Sequence, residues 1–212
     1  MTVDYWHEFT SGRTYHLYNH SVSNDNIFNS DFDYQDFLDR YKKYIHPYVD
    51  TYAFCLMPNH FHLLFKVKSY DAILKASKSD PSQSRLKLLE SEDYVNDFIL
   101  NQWKRMLSSY VLAYNNRHNR RGQLFLKRMK RVSINEDERL SYLIAYIHHN
   151  PIHHRFTKDY GSWKYSSYKV YRENIRNTNL FVDYILQWFE GREKMMDYHE
   201  KFKVLTWDDN LD

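Results

Sequence analysis

The sequence predicts an α+β fold, and three observations predict it. Stretches with strand character and stretches with helical period follow one another in the order strand, helix, strand, strand, helix, strand. Two of the strands are separated only by Met57-Pro58-Asn59, a tight turn that Pro58 and Asn59 favour. The composition is that of a folded chain: 212 residues can bury a real core, and 20 Tyr against 4 Gly exclude a linker-like or disordered segment.

Each element has its own grounds. Residues 13–20, RTYHLYNH, read as the first strand, and the polar SVSNDN as the loop after it. In residues 30–45, Phe32, Phe37, Leu38, Tyr41 and Ile45 keep near-helical period, and Ser30 or Asp31 stands ready to cap. Residues 49–57 and 60–68 are the second and third strands. Residues 69–92, Ser-rich around Asp80-Pro81, predict a helical turn or two broken by a mobile loop. Over 93–118 the apolar positions, Phe98, Trp103, Met106 and Tyr110 among them, keep helical spacing for many turns. Gly122 can end that basic turn, and QLFLKRMKRVSI supplies another strand.

The next helix opens on stacked start signals, Ser133 with Glu136 and Asn135 with Glu138, each a capping-box match. Leu140, Leu143, Ile144 and Ile147 form its buried stripe, and Pro151 predicts its end near Asn150. Tyr146 and Asn150, four apart, share a face about a quarter-turn from that stripe, which places them beside the core and outside it. Residues 155–174 are basic and aromatic without strong periodicity. A last helix or two follows, with Phe181, Ile185, Leu186, Trp188 and Phe189 as its apolar positions.

Net charge is only +3, but its distribution is uneven. Residues 103–131 carry Lys104, Arg105, Arg117, Arg120, Arg121, Lys127, Arg128, Lys130 and Arg131 with no Asp or Glu among them. Such a block points to a polyanion, nucleic acid above all, because clustered cations gain affinity by releasing counterions. The plainer alternative, a solvated helical face, would mix both signs. Cys55 is the single cysteine and sits in an apolar stretch, so it reads as a buried thiol and implies a reducing compartment. With no signal pattern in MTVDYWHEFTSGR and no run of about 18 apolar residues, the expectation is a cytoplasmic protein without a membrane.

The third strand carries the chemistry. His60 and His62 are two apart, so both imidazoles face one way while Phe61, Leu63, Phe65 and Val67 face the other. Two imidazoles and one oxygen ligand leave positions open on a divalent ion for water or a phosphate oxygen. A tyrosine could then attack a phosphodiester and hold its energy as phosphotyrosine until a 3′-hydroxyl reverses the step. Twelve histidines in 212 residues supply roughly one His-x-His by chance, so two hydrogen-bonded strand histidines are the plain alternative. Spacing among 20 tyrosines selects no nucleophile.

Four segments in order, LMPNHFHLLFKV, NNRHNRRGQLFLKR, AYIHHNP and WKYSSYKVY, resemble the REP-associated tyrosine transposases, relatives of the single-tyrosine transposases of the His-hydrophobic-His (HUH) class. The resemblance spans residues 13–171. It implies a ferredoxin-like antiparallel sheet flanked by helices, with 1–172 as the catalytic domain and 173–212 as a helical extension packed on it. It also implies His60 and His62 as ligands of Mg or Mn, Asn150 as the residue completing the metal site, and Tyr146 as nucleophile. The expected activity is cleavage and rejoining of single-stranded DNA next to hairpins of repeated palindromic elements.

In that reading Arg117, Arg120, Arg121, Lys127, Arg128, Lys130 and Arg131 grip hairpin phosphates, while Trp163, Tyr165 and Tyr168 stack on unpaired bases. The first loop, YNHSVSNDNIF, lacks the Arg-Gly-Asn common in this group, a departure that bears on DNA specificity more than on chemistry. One rival is a domesticated protein that binds hairpins without cutting them. Another is a structural zinc site on an unrelated nucleic-acid-binding domain, for which a closed Cys-rich site is unavailable with one thiol. Monomer and homodimer both stay open, since related transposases work as dimers and REP-associated members act alone.

Overall fold

The computed structural model describes residues 5–23, 25–176 and 178–202, with the side chains of 136–138 also outside the description. The elements in chain order are β1 (Thr14–His20), α1 (Asp31–Tyr44), β2 (Val49–Met57), β3 (His60–Val67), α2 (Tyr70–Ser77), α3 (Gln83–Leu88), α4 (Val95–Arg117), β4 (Lys130–Ile134), α5 (Glu136–His153), α6 (Tyr168–Arg172), α7 (Val182–Trp188) and α8 (Arg192–Phe202).

The strands form one sheet in the order β2-β3-β1-β4, antiparallel at every junction. With α1 crossing between β1 and β2, and α4, after the short α2 and α3, crossing between β3 and β4, this is the expected ferredoxin-like arrangement. Alternation along each strand sorts side chains into two cores. Tyr15, Leu17, Phe61, Leu63 and Phe65 pack under α1 and α4, against Phe37, Trp103 and Tyr110. Ala53, Cys55, Met57 and Leu64 meet α5, with its Leu140, Ile144 and Ile147, and then α7 and α8 through Ile185, Met195 and Phe202. The sheet therefore has a helical layer on both faces. A register shift between Thr51 and Ala53 lets β2 keep both its ends packed.

Local chemistry sets the boundaries. Ser30 caps α1 in a reciprocal box with Asp33, its side chain accepting the Asp33 N–H while the Asp33 carboxylate accepts the Ser30 N–H at 3.0 Å. Both open sheet edges are covered. Residues 165–167 bond to β2 through Leu56 N–H to Tyr165 O, 2.9 Å, and Ser167 N–H to Phe54 O, 3.0 Å. On the far side, Arg131 N–H of β4 donates to Tyr5 O at 2.7 Å.

Four expectations are corrected. Phe32 is 63% exposed, with the Arg117 guanidinium 4.7 Å from its ring centroid, because it falls on the outer side of α1. The strand after Gly122 begins only at Lys130, since Leu124 and Phe125 are consumed as core anchors. Residues 69–92 hold two helices tied down by Asp80, which accepts from Arg105 at 2.7 Å and Gln102 at 2.6 Å. Finally, α5 runs through Pro151 to His153. Proline costs only its own donor, and the turn beyond it is still closed by His154 N–H to Asn150 O, 2.9 Å. Asn135 is the N-cap of α5 without a side-chain capping bond, while its expected partner Glu138, like Glu136, lies outside the described side chains.

Candidate active site

The side of the sheet facing α5 is rich in imidazoles, and the register explains why. In β1, His16, Tyr18 and His20 alternate onto this face; Tyr18 pairs with His62 and His20 with His60. The His60 and His62 rings lie 5.2 Å apart between centroids, His20 stacks on His60 at 4.7 Å, and Tyr18 stacks on His62 at 5.4 Å. Helix α5 crosses this cluster. Tyr146 meets His62 edge-on at 5.6 Å and His16 at 5.9 Å, and two turns on, His154 meets His60 at 5.0 Å. Asn150 lies midway between those two residues on the same helical face.

The two strand histidines are held from behind. His60 Nδ1 is 2.8 Å from Asn59 Oδ1, and His62 Nδ1 is 3.1 Å from His16 Nε2. Because Asn59 Oδ1 can only accept, the proton of this hydrogen bond is on His60 Nδ1, which in a neutral ring leaves the lone pair on Nε2. His62 is fully buried, and burial first, then the neighbouring His60, His16, His20 and His154, push its imidazole well below the ordinary range. It is neutral at physiological pH, the state a metal ligand needs.

Tyr146 and Asn150 are each 2% exposed, which corrects the expectation that they stand outside the core. Tyr146 is covered by the sheet itself, edge-on to His62 and His16, while Phe202 of α8 packs on the neighbouring Tyr142 at 5.3 Å and on His149 at 5.8 Å. The Asn150 carboxamide donates through Nδ2 to Tyr146 O at 3.0 Å, so its donor end is taken by the helix and its oxygen is the end left to act as a ligand. Among the described residues no group of three or more His, Cys, Asp or Glu is arranged to hold a metal ion. Two imidazole nitrogens and a carboxamide oxygen are nonetheless a donor set that fits a divalent cation.

The basic residues separate by what holds them. Arg117 forks onto Asp33, at 3.0 and 2.9 Å, and reaches Asp36 at 3.1 Å. Arg120 donates to Gln123 O at 2.8 Å, and Arg131 to His7 O at 2.6 Å. The block that lacks acids in sequence thus finds acceptors elsewhere in the fold. Arg121, Lys127 and Arg128 are exposed, with Arg128 over the Trp6 ring. Lys130 pairs with Tyr18 in the sheet and lies 5.2 Å over its ring, one strand from His62.

A groove of about 790 Å³ between α4 and residues 123–131 is lined by Leu107, Val111 and Leu126 together with Lys104, Lys127 and Arg128. It is on the α4 side, away from the histidines.

The three aromatic residues lie in the segment that covers β2. Trp163 donates its indole N–H to Leu56 O at 3.0 Å, Tyr165 stacks on Tyr34 at 3.5 Å with its hydroxyl bonded to Asp31, and Tyr168 is 5% exposed. Their ring faces are engaged with the protein itself. Sequence reasoning missed His16, Tyr18, His20 and His154. The first three carried a signal, since in YHLYNH they alternate on the side opposite Tyr15 and Leu17. His154 carried none.

Neither protein-family profiles nor curated proteins match the chain. Among solved structures, the chain is similar to a REP-associated tyrosine transposase bound to a REP hairpin, with 13% sequence identity and a TM-score of 0.49, over 79% of this chain and 84% of that one.

Proposed function

We propose that the protein is a metal-dependent endonuclease and strand transferase acting on single-stranded DNA beside hairpins, with Tyr146 as nucleophile and His60, His62 and Asn150 as ligands. The observation that carries this reading is the convergence of His62 and Tyr146, 5.6 Å apart between rings and delivered by separate elements to one face of the sheet. The motif order in the sequence supports the DNA substrate. Mg or Mn, when bound, would polarise the scissile phosphate and offset charge building on its oxygens.

The protein's own part is as follows. Tyr146 Oη attacks phosphorus, the P–O3′ bond breaks, the phenol proton passes to solvent, and the departing 3′ oxygen takes a proton. The 5′ side is left as phosphotyrosine. A 3′-hydroxyl then attacks the same phosphorus, the P–Oη bond breaks, and Tyr146 regains its proton. Lys130, one strand from His62, holds a phosphate next to the site, while the exposed Arg121, and Lys127 and Arg128 beside the groove on the α4 side, grip the hairpin farther off; Arg117, Arg120 and Arg131, held by acceptors of the protein itself, add positive charge. In the bound state Trp163, Tyr165 and Tyr168 would have to leave their present partners in order to stack on bases.

The burial of Tyr146 favours a second reading, hairpin binding without cleavage. One assay separates the two: labelled single-stranded hairpins are incubated with Mn2+ or Mg2+ and covalent adducts are scored on a denaturing gel. The transferase reading expects a metal-dependent adduct that Tyr146→Phe abolishes. Tight hairpin binding with no adduct from any hairpin overturns it in favour of the binding protein.

A further inference from the structure

His16 is fully inside the protein, on a central strand, and nothing in its local sequence assigns it a task. Its Nε2 lies 3.1 Å from His62 Nδ1, the rings are nearly parallel at 17°, and its edge meets Tyr146. A hydrogen bond between two imidazole nitrogens has one donor and one acceptor, so only two arrangements exist. If His16 Nε2 carries the proton, His62 must accept on Nδ1, and a neutral His62 is then protonated on Nε2, which leaves no lone pair for a metal. If His62 Nδ1 carries it, His16 accepts, and His62 Nε2 has the lone pair. The bond that Asn59 makes with His60 already imposes the second arrangement on that ring.

We infer that His16 is a positioning residue that accepts a hydrogen bond from His62 Nδ1, thereby fixing His62 in the tautomer whose Nε2 can ligate. His16 and Asn59 then do one job from two places, so both imidazoles of the pair present Nε2 in the same sense. The residue before His60 is supplied by the turn. The Nδ1 partner of His62 comes from across the sheet, since the neighbour of His62 in sequence, Phe61, points to the opposite core. Partners on the far nitrogen of a ligating histidine set both its ring orientation and its affinity, typically by 10–100-fold.

The inference rests on the proposed metal-binding role of His62, and its test is chosen so that the two can fail separately. In metal-free wild-type protein labelled with 15N, long-range imidazole correlations report the His62 tautomer directly. Protonation on Nδ1 is expected; protonation on Nε2 overturns the assignment of His16. Mn2+ is then titrated into wild-type, His16→Phe and His16→Gln proteins, each checked for native circular dichroism. His16→Phe removes the acceptor and is expected to weaken Mn2+ about 10–100-fold, with partial rescue in His16→Gln, whose carboxamide oxygen can accept. Equal Mn2+ affinity in a folded His16→Phe protein overturns the inference. If wild-type protein takes up no Mn2+, the metal-dependent reading of the site fails, and the tautomer alone decides the role of His16.

Discussion

Asp33 is the residue on which most of the helical layer turns. It has no exposed surface, and burial by itself would raise its carboxyl; hydrogen bonds from His118, the Asn29 backbone, Arg117 and Ser30 outweigh that and hold it below the ordinary carboxylate range. These bonds join the cap of α1 to the end of α4. Asp33→Asn keeps the shape but loses the charge, and we expect it to destabilise the protein by about 2–4 kcal/mol at pH 7, read by urea unfolding. Because the folded-state value is depressed, the contribution is complete above the unfolded carboxyl value of about 4 and is lost as pH falls through the folded one. The gap between wild type and variant should therefore shrink below pH 4. A gap independent of pH would show that the carboxylate charge contributes nothing. Cys55, as its sequence context suggests, is fully buried, and burial pushes its thiol well above the ordinary range, which removes it from any role as nucleophile.

At the scale of elements, the strands that alternate strictly were legible almost to the residue. β2 and β3 begin where expected and end within a residue of the expected boundary, because Pro58 and Asn59 fix the turn between them. β4 was legible only in part, since an apolar run cannot reveal whether Leu124 and Phe125 are ladder or anchor. Helix α5 is the other departure. Proline inside it is tolerated because α5 is held to β2 and β3 by its buried stripe, so packing overrides the local preference for an ending. Pro151→Ala should leave α5 in place and restore a donor, raising stability by about 1–2 kcal/mol after the lost rigidity of the unfolded chain is allowed for. Thermal unfolding checks this, and a fall in stability would mean that the turn after Pro151 depends on its fixed φ.

At the scale of the whole molecule, the C-terminal helices pack along α5, the helix that carries Tyr146 and Asn150. His148 of α5, Ser167 and His199 of α8 form a buried chain, with His148 Nδ1 at 2.9 Å from His199 Nε2 and His148 Nε2 at 2.7 Å from Ser167 Oγ. His199 Nδ1 donates to Met195 O at 2.7 Å, and Ser167 Oγ also bonds to the Phe54 backbone, which ties the chain to β2. We expect a chain ending at residue 172 to lose this packing, expose the α5 flank around Tyr142 and His149, melt at lower temperature and bind a hydrophobic dye. An unchanged melting temperature would show that residues 1–172 are stable on their own. Among the described residues no helix is long and apolar enough to cross a membrane.

The sequence by itself determined the α+β class, the hairpin, the face on which His60 and His62 lie, and the pairing of Tyr146 with Asn150 on one helix face, because these follow from periods of 2 and 3.6 and from turn chemistry. Only the tertiary structure decided that Tyr146 lies beside His62, that His16 backs it, that acids from α1 occupy part of the basic block, and that α8 packs along α5 beside Tyr142 and His149. Each of these is a contact between residues far apart in the chain. Local periodicity orients a side chain toward a face, but it holds no information about which distant element will cover that face.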